Sequence, residues 1–216
     1  MNVIIPAAGY GTRMGSPEAK ELLINPYTGK PFIEFSFSQA RMLDAPIVLI
    51  IREEKKALKN WAIDYCRQNF LSLEILEISP SSEWPETVLR SESLWGDKNI
   101  LLLPDTDWKP APLLKDISEK IRIPSMEVVY GVFKTRKLNW GFVNTNNGLS
   151  LCEKPIHFLH DYEAWGIIAF TKEAGNALFK AHLESTFDHR IKTLNLKAQK
   201  IDILEFNDRT RGTSDS

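Results

Sequence analysis

Three short, unbroken apolar runs constrain this chain most: Val3 to Ala7, Ile47 to Ile51 and Ile100 to Leu103. A strand without polar alternation has no face to offer water, so it must be covered on both sides. The segments between the runs have helical spacing. Glu53 to Asn69 carries Ala57, Leu58, Trp61 and Tyr65 on one stripe, and Glu86 to Trp95 also reads as a helix. Lys30-Pro31-Phe32-Ile33 opens another, with Pro31 in its first turn and Phe32, Phe35 and Met42 turned inward. Leu73 to Ile78 alternates as a strand. Strands alternating with helices imply an α/β fold, a doubly wound and mostly parallel sheet with helices on both faces.

The second half is more mixed. Glu127 to Phe133, Trp140 to Val143 and Ile201 to Phe206 read as strands, Asn146-Asn147-Gly148 as a turn and Glu173 to Leu183 as a helix. No internal repeat or linker divides the chain, and 216 residues suit a single domain, 1–216. The formal net charge of -1 supplies no field that would gather nucleic acid or an acidic membrane. Any anionic ligand must therefore meet local cations. Cys66 and Cys152 stand far apart and form no metal or redox pair. The start Asn2-Val3-Ile4-Ile5-Pro6 has no basic leader, and no apolar stretch is long enough to span a bilayer, so a cytoplasmic protein is expected. Oligomeric state is not legible.

Pro6-Ala7-Ala8-Gly9-Tyr10-Gly11-Thr12-Arg13-Met14-Gly15 follows the first strand. Small residues let a ligand approach the backbone, and successive N–H groups there can cradle phosphate. Arg13 offers a planar fork and Lys20 a mobile point charge. Met14 breaks the dinucleotide fingerprint, and no Walker A spacing exists. Two glycines alone would suggest only a turn; the neighbouring cations argue for a bound anion. This segment, with Lys20-Glu21-Leu22-Leu23 and Gly29-Lys30-Pro31-Phe32, resembles the N-terminal signature of the sugar-1-phosphate nucleotidyltransferases. The resemblance implies a Rossmann-like doubly wound sheet with a smaller mixed β region over the acceptor site. It assigns Ala7, Ala8, Gly9, Gly11 and Thr12 to nucleotide binding, and Arg13 and Lys20 to the triphosphate.

Acids at the carboxyl end of a buried strand lie where open α/β sheets bind ligands. Leu101-Leu102-Leu103-Pro104-Asp105 resembles the family's metal motif, which implies Mg²⁺ on Asp105, with Asp107 as the alternative. Phe206-Asn207-Asp208 through Gly212-Thr213 resembles the family's late acidic segment and implies Asp208 as the second metal ligand. Trp140-Gly141-Phe142-Val143, Glu153-Lys154-Pro155 and Ala164-Trp165-Gly166 match, in order, the segments around the acceptor. They imply that Gly141, Glu153 and Gly166 meet the sugar and that Lys154 meets its phosphate. Trp84-Pro85-Glu86-Thr87-Val88 falls where the family approaches the nucleobase, placing Glu86 and Thr87 there. Its form is closer to the cytidylyltransferases of isoprenoid synthesis, which favours a pyrimidine.

The implied reaction joins a nucleoside monophosphate from an NTP to a sugar 1-phosphate and releases pyrophosphate. Two alternatives accompany it. One is a cytidylyltransferase acting on a non-sugar phosphomonoester, such as a polyol phosphate or phosphocholine. The other is a nucleotide-binding regulatory protein without catalysis, suggested by the irregular C-terminal motif and by Ala164 where the family often has Asn. In every reading the partners are small phosphorylated molecules, with no nucleic acid and no membrane.

Overall fold

The computed structural model describes residues 1–9, 19–26, 28–106, 108–109 and 113–205. Four parallel strands form the first half of the sheet: β1 (Asn2–Pro6), β2 (Ile47–Ile51), β3 (Leu73–Glu77) and β4 (Lys98–Leu102). Their order across the sheet is β3-β2-β1-β4. The chain steps outward from β1 to β3, then returns to the far side of β1 to lay down β4. The carboxyl ends of β1 and β4 therefore flank the point where strand order reverses, the usual place for a ligand in an open α/β sheet.

Every residue of β2 is buried, as an unbroken apolar run requires. Its side chains divide between the two faces of the sheet. Ile47, Leu49 and Ile51 join one core cluster with Val3 and Ile5. Val48 and Ile50 join the other with Ile4 and Leu101. The first cluster is closed by α1 (Glu34–Met42), α2 (Lys56–Asn69) and α4 (Leu113–Ile121) through Phe37, Leu58 and Ile117. The second is closed by α3 (Trp84–Leu89) and α5 (Lys172–Asp188) through Val88, Leu178 and Phe179. The expected doubly wound α/β fold is thus observed.

The mixed region grows from β9 (Glu163–Thr171), which runs antiparallel to β4 from Lys98↔Thr171 to Leu102↔Ile167. The same strand pairs antiparallel with β6 (Val128–Phe133) and, near its start, with β7 (Gly141–Asn144). β8 (Leu149–Glu153) and β10 (Lys192–Leu194) extend the sheet beyond β7, and β11 (Ala198–Asp202) pairs parallel with β6. A separate two-stranded ribbon joins β5 (Trp108–Lys109) to β12 (Leu204–Glu205).

Several element readings need correction. Pro31 bridges to Ile24 rather than opening a helix, and α1 begins only at Glu34. Met42 is exposed; the inward apolar stripe is Ile33, Phe37 and Ala40, at helical i, i+4 and i+7 spacing. In α2 Ala57 is exposed, and Leu58, Ala62 and Cys66 face the core, with Trp61 and Tyr65 packed at its edge. The segment Glu86 to Trp95 is α3 followed by a separate 3₁₀ turn, Glu92–Leu94. Burial pushes the thiol of Cys66 up to about 11 and that of Cys152 upward, which keeps both as unreactive packing groups. Among the described residues no helix is long and apolar enough to cross a membrane.

Phe170, fully buried on β9, packs edge-on against Trp95 at 5.1 Å and Phe179 at 4.8 Å between ring centroids. Phe170→Ala is expected to lower the unfolding free energy by about 3–5 kcal/mol. Urea denaturation of both proteins measures the difference.

Candidate active site

β1 delivers Ala7 and Ala8, both buried, to the carboxyl edge of the sheet, where Gly9 emerges to solvent. The amide of Ala7 donates to the carbonyl of Ile50 at 2.8 Å, continuing the β1–β2 ladder by one step. The carbonyl of Ala7 accepts from Lys55 Nζ at 2.7 Å. Lys55 also donates to both carboxylate oxygens of Glu21, at 2.8 and 3.0 Å. All three ammonium protons are thereby used. The side chains of Lys55 and Glu21 are only 6% and 0% exposed. Burial draws the Lys55 ammonium below its ordinary range, and the charge and hydrogen bonds of Glu21 oppose the shift. This pair ties the start of the glycine loop to the 3₁₀ turn Lys20–Leu22.

That turn carries Lys20, whose Nζ meets Asp105 Oδ2 at 2.9 Å. Asp105 stands just past β4, and the hydroxyl of Ser36 on α1 donates to the carbonyl of Leu103 at 2.8 Å, fixing the strand's exit. Two residues 85 apart in sequence, expected to serve triphosphate and metal respectively, are thus brought into contact at the switch point. Both remain partly exposed. Among the described residues no three His, Cys, Asp or Glu side chains gather as a ready-made metal cage. A single carboxylate fits Mg²⁺, which keeps water and takes substrate phosphate oxygens for most of its ligands. Gly11, Thr12, Arg13, Asp107 and Asp208 lie outside the described residues.

Glu86 and Thr87 lie in α3, above the second core cluster. Glu86 is the third helical residue and accepts from the amide and hydroxyl of Ser82, the residue before the N-cap Glu83, both at 2.7 Å. Its other oxygen accepts from Arg90 at 2.5 Å. The hydrogen bonds from Ser82, then that from Arg90, hold the Glu86 carboxyl at about 2. Thr87 is buried, with its hydroxyl 2.5 Å from that of Ser81. Trp84 packs against Trp165 and His182. These side chains therefore shape the start of α3, and all three have partners within the chain.

The acceptor-side residues do converge. Glu153 on β8 pairs with Gly141 on β7, and Trp165 on β9 lies on the other side of Gly141. Trp165 Nε1 donates to Glu153 Oε1 at 3.0 Å across the glycine. A Cβ at Gly141 would overlap both groups, so this contact requires glycine. Gly166 is the extra residue of a bulge, since the β6–β9 register slips between Gly131 and Val132. There the ring of Trp108 takes the space a side chain would need. Trp108 is buried, and its indole N–H has no partner among the described residues. Lys154 follows Glu153 with φ 46°, a left-handed conformation, although it precedes Pro155. A residue before proline strongly prefers extended backbone, so strain is stored at this lysine. Its ammonium lies 3.8 Å from Glu83, at the start of α3.

Sequence reasoning gave no role to Lys55, Glu21, Tyr130, His182, Trp165 or Trp108. Lys55 is one lysine in the run Glu53-Glu54-Lys55-Lys56, and nothing in that run distinguishes it from a solvated neighbour.

No known family pattern and no curated protein matches this chain. Solved structures do. A Bacillus anthracis protein named as a glucose-1-phosphate thymidylyltransferase, in complex with sucrose, superposes with a TM-score of 0.72 at 14% identity. The match covers 95% of this chain and 88% of that one. A nucleoside-diphosphate-sugar pyrophosphorylase from Vibrio cholerae gives 0.69 at 16% identity, over 94% of each chain. The chain has the sugar-1-phosphate nucleotidyltransferase fold.

Two expectations follow from the charges. Lys55→Met leaves Glu21 buried and unpaired and is expected to cost about 3–5 kcal/mol of stability by chemical denaturation; Glu21→Met with Lys55→Met recovers most of it. Glu86 binds protons more weakly folded than unfolded, so its stabilising contribution is full above the unfolded carboxyl range. That contribution is lost as pH falls from about 4.3 toward 2. Melting temperature followed across that window should fall less steeply in Glu86→Gln than in the native protein.

Proposed function

We propose that this chain is a nucleotidyltransferase that joins the nucleoside monophosphate of an NTP to a sugar 1-phosphate and releases pyrophosphate. The contact of Lys20 with Asp105 at the strand-order switch carries the reading, because a cation suited to phosphate stands beside a carboxylate suited to Mg²⁺. The fold shared with NDP-sugar pyrophosphorylases supports it.

The chemistry needs little proton transfer. A phosphate monoester is mostly dianionic at neutral pH, its second pKa being ~6. One of its oxygens forms a bond to the α-phosphorus, and the bond from that phosphorus to the bridging oxygen of the β-phosphate breaks in line, with pyrophosphate leaving. The protein must align the two anions and cancel their repulsion. The backbone of Ala7, Ala8, Gly9, Gly11 and Thr12 would line the triphosphate, with Arg13 and Lys20 neutralising it. Lys154 would hold the attacking phosphate, while Glu153, Gly141 and Gly166 bound the acceptor. Glu86 and Thr87 set the backbone of α3 toward the base, with a pyrimidine preferred. Asp105, with Asp208, would hold Mg²⁺, whose bound charge screens the approaching phosphates. On nucleotide approach Lys20 would exchange Asp105 for phosphate oxygen. Such substrates suit a cytoplasmic enzyme.

A second reading, transfer of a cytidylyl group to a compact non-sugar phosphomonoester, is favoured by the indoles of Trp165 and Trp108 over Gly141 and Gly166.

The test is pyrophosphate release with Mg²⁺, pairing each common NTP with a panel of sugar 1-phosphates and polyol phosphates. Release with a sugar 1-phosphate is expected, abolished by EDTA, and Lys154→Ala should reduce kcat/KM by about 10²–10³-fold. Turnover with polyol phosphates alone would select the second reading. NTP binding without release from any pair would identify a catalytically inactive nucleotide-binding protein.

A further inference from the structure

Behind Glu153 lies a chain of buried polar groups that the proposed reaction leaves without a role. His182 on α5 is fully buried, and its Nδ1 lies 2.7 Å from Glu153 Oε1. Its Nε2 lies 2.9 Å from the hydroxyl of Tyr130 on β6, also fully buried. A carboxylate accepts, so the imidazole proton sits on Nδ1 and the donor into Nε2 is the tyrosine O–H. Burial, and then the charge of Glu153, hold the Tyr130 phenol well above its ordinary range, so it keeps the proton it donates. Trp84, Trp165 and Phe179 wall the imidazole on its other sides.

The chain ends asymmetrically. Oε1 of Glu153 receives two N–H groups, from His182 and Trp165; among the described residues no donor meets Oε2, and the side chain is 3% exposed. A carboxylate 97% withdrawn from solvent is costly unless its oxygens are satisfied. Here the core immobilises one oxygen, Oε1. The next residue is the strained cation Lys154.

We propose that His182, backed by Tyr130, is a positioning residue that holds Glu153 so that Oε2 accepts a hydroxyl proton from a phosphorylated polyhydroxy ligand whose phosphate is held by Lys154. This rests on the acceptor-site reading above and adds how the carboxylate is aimed. Gly141 serves the same end by leaving room for the bridge between Glu153 and Trp165.

Binding can test this without turnover. Calorimetry on the full chain, with glucose 1-phosphate and separately with inorganic phosphate as probes, compares the native protein with His182→Ala, His182→Asn and Tyr130→Phe. His182→Ala is expected to weaken glucose 1-phosphate binding about tenfold, the effect of about one hydrogen bond, while inorganic phosphate is unaffected. Asn offers an N–H near the position of Nδ1 and should restore most of the loss. Tyr130→Phe, which deletes one buried oxygen, should weaken the sugar phosphate alone by a smaller factor. The proposal is overturned if both probes weaken in parallel with a drop in melting temperature, if neither changes, or if the native protein does not bind glucose 1-phosphate. Should it bind that probe, respond to His182→Ala as expected, and yet release no pyrophosphate with any NTP, the transferase reading fails and the positioning role stands.

Discussion

The ladder between β4 and β9 is the constraint on which the rest of the molecule hangs. Five residue pairs, from Lys98↔Thr171 to Leu102↔Ile167, join the parallel half of the sheet to the antiparallel half. Buried amides and carbonyls must find partners, and β9 finds them in β4, β6 and β7. The direction of β9 then follows. It runs against β4, so its opening residues, Glu163 to Gly166, come to the edge where β1 and β4 end. Trp165 and Gly166 thereby reach the same rim as Ala7 to Gly9 and Asp105.

At that rim, charge is arranged in two tiers. The inner tier, Lys55 with Glu21, is buried and saturated, and it acts on the backbone by holding the carbonyl of Ala7. The outer tier, Lys20 with Asp105, is partly exposed and held by a single bond. A buried pair with every proton used is rigid and expensive to break, whereas an exposed pair is worth little and exchanges partners readily. The difference suits a site in which the frame stays fixed and the outer charges turn from each other to a ligand. Glu153 is held in a similar way by hydrogen bonds: Trp165 and His182, the latter backed by Tyr130, both donate to Oε1.

Much of this was legible in the residues alone. Apolar runs such as Ile47 to Ile51 can be satisfied only between two layers, so the doubly wound sheet follows from composition and order. Boundaries were less legible. Pro31 favours a helix start by local geometry, but its bridge to Ile24, 7 residues earlier, overrides that preference and delays α1 to Glu34. The inward face of α1 is carried by Phe37 and Ala40, and Met42 is exposed. The short strands β5 and β10 carry too little pattern to be read, because they exist through their partners, and the single strand read over Ile201 to Phe206 divides between the end of β11 and β12.

The sequence by itself determined the layering, the glycine-rich exit from β1 and the acid after β4, because each depends on residue type at short range. Which groups touch was decided by tertiary structure. Lys55 differs from Lys56 only in lying where the carbonyl of Ala7 and the carboxylate of Glu21 converge, and His182 differs from any histidine on a helix only in facing Glu153. Glu86, which the family resemblance placed near a nucleobase, accepts hydrogen bonds from Ser82 and Arg90 around its own helix. Contacts between residues dozens of positions apart are set by how strands order and helices pack, and no local pattern along the chain encodes them.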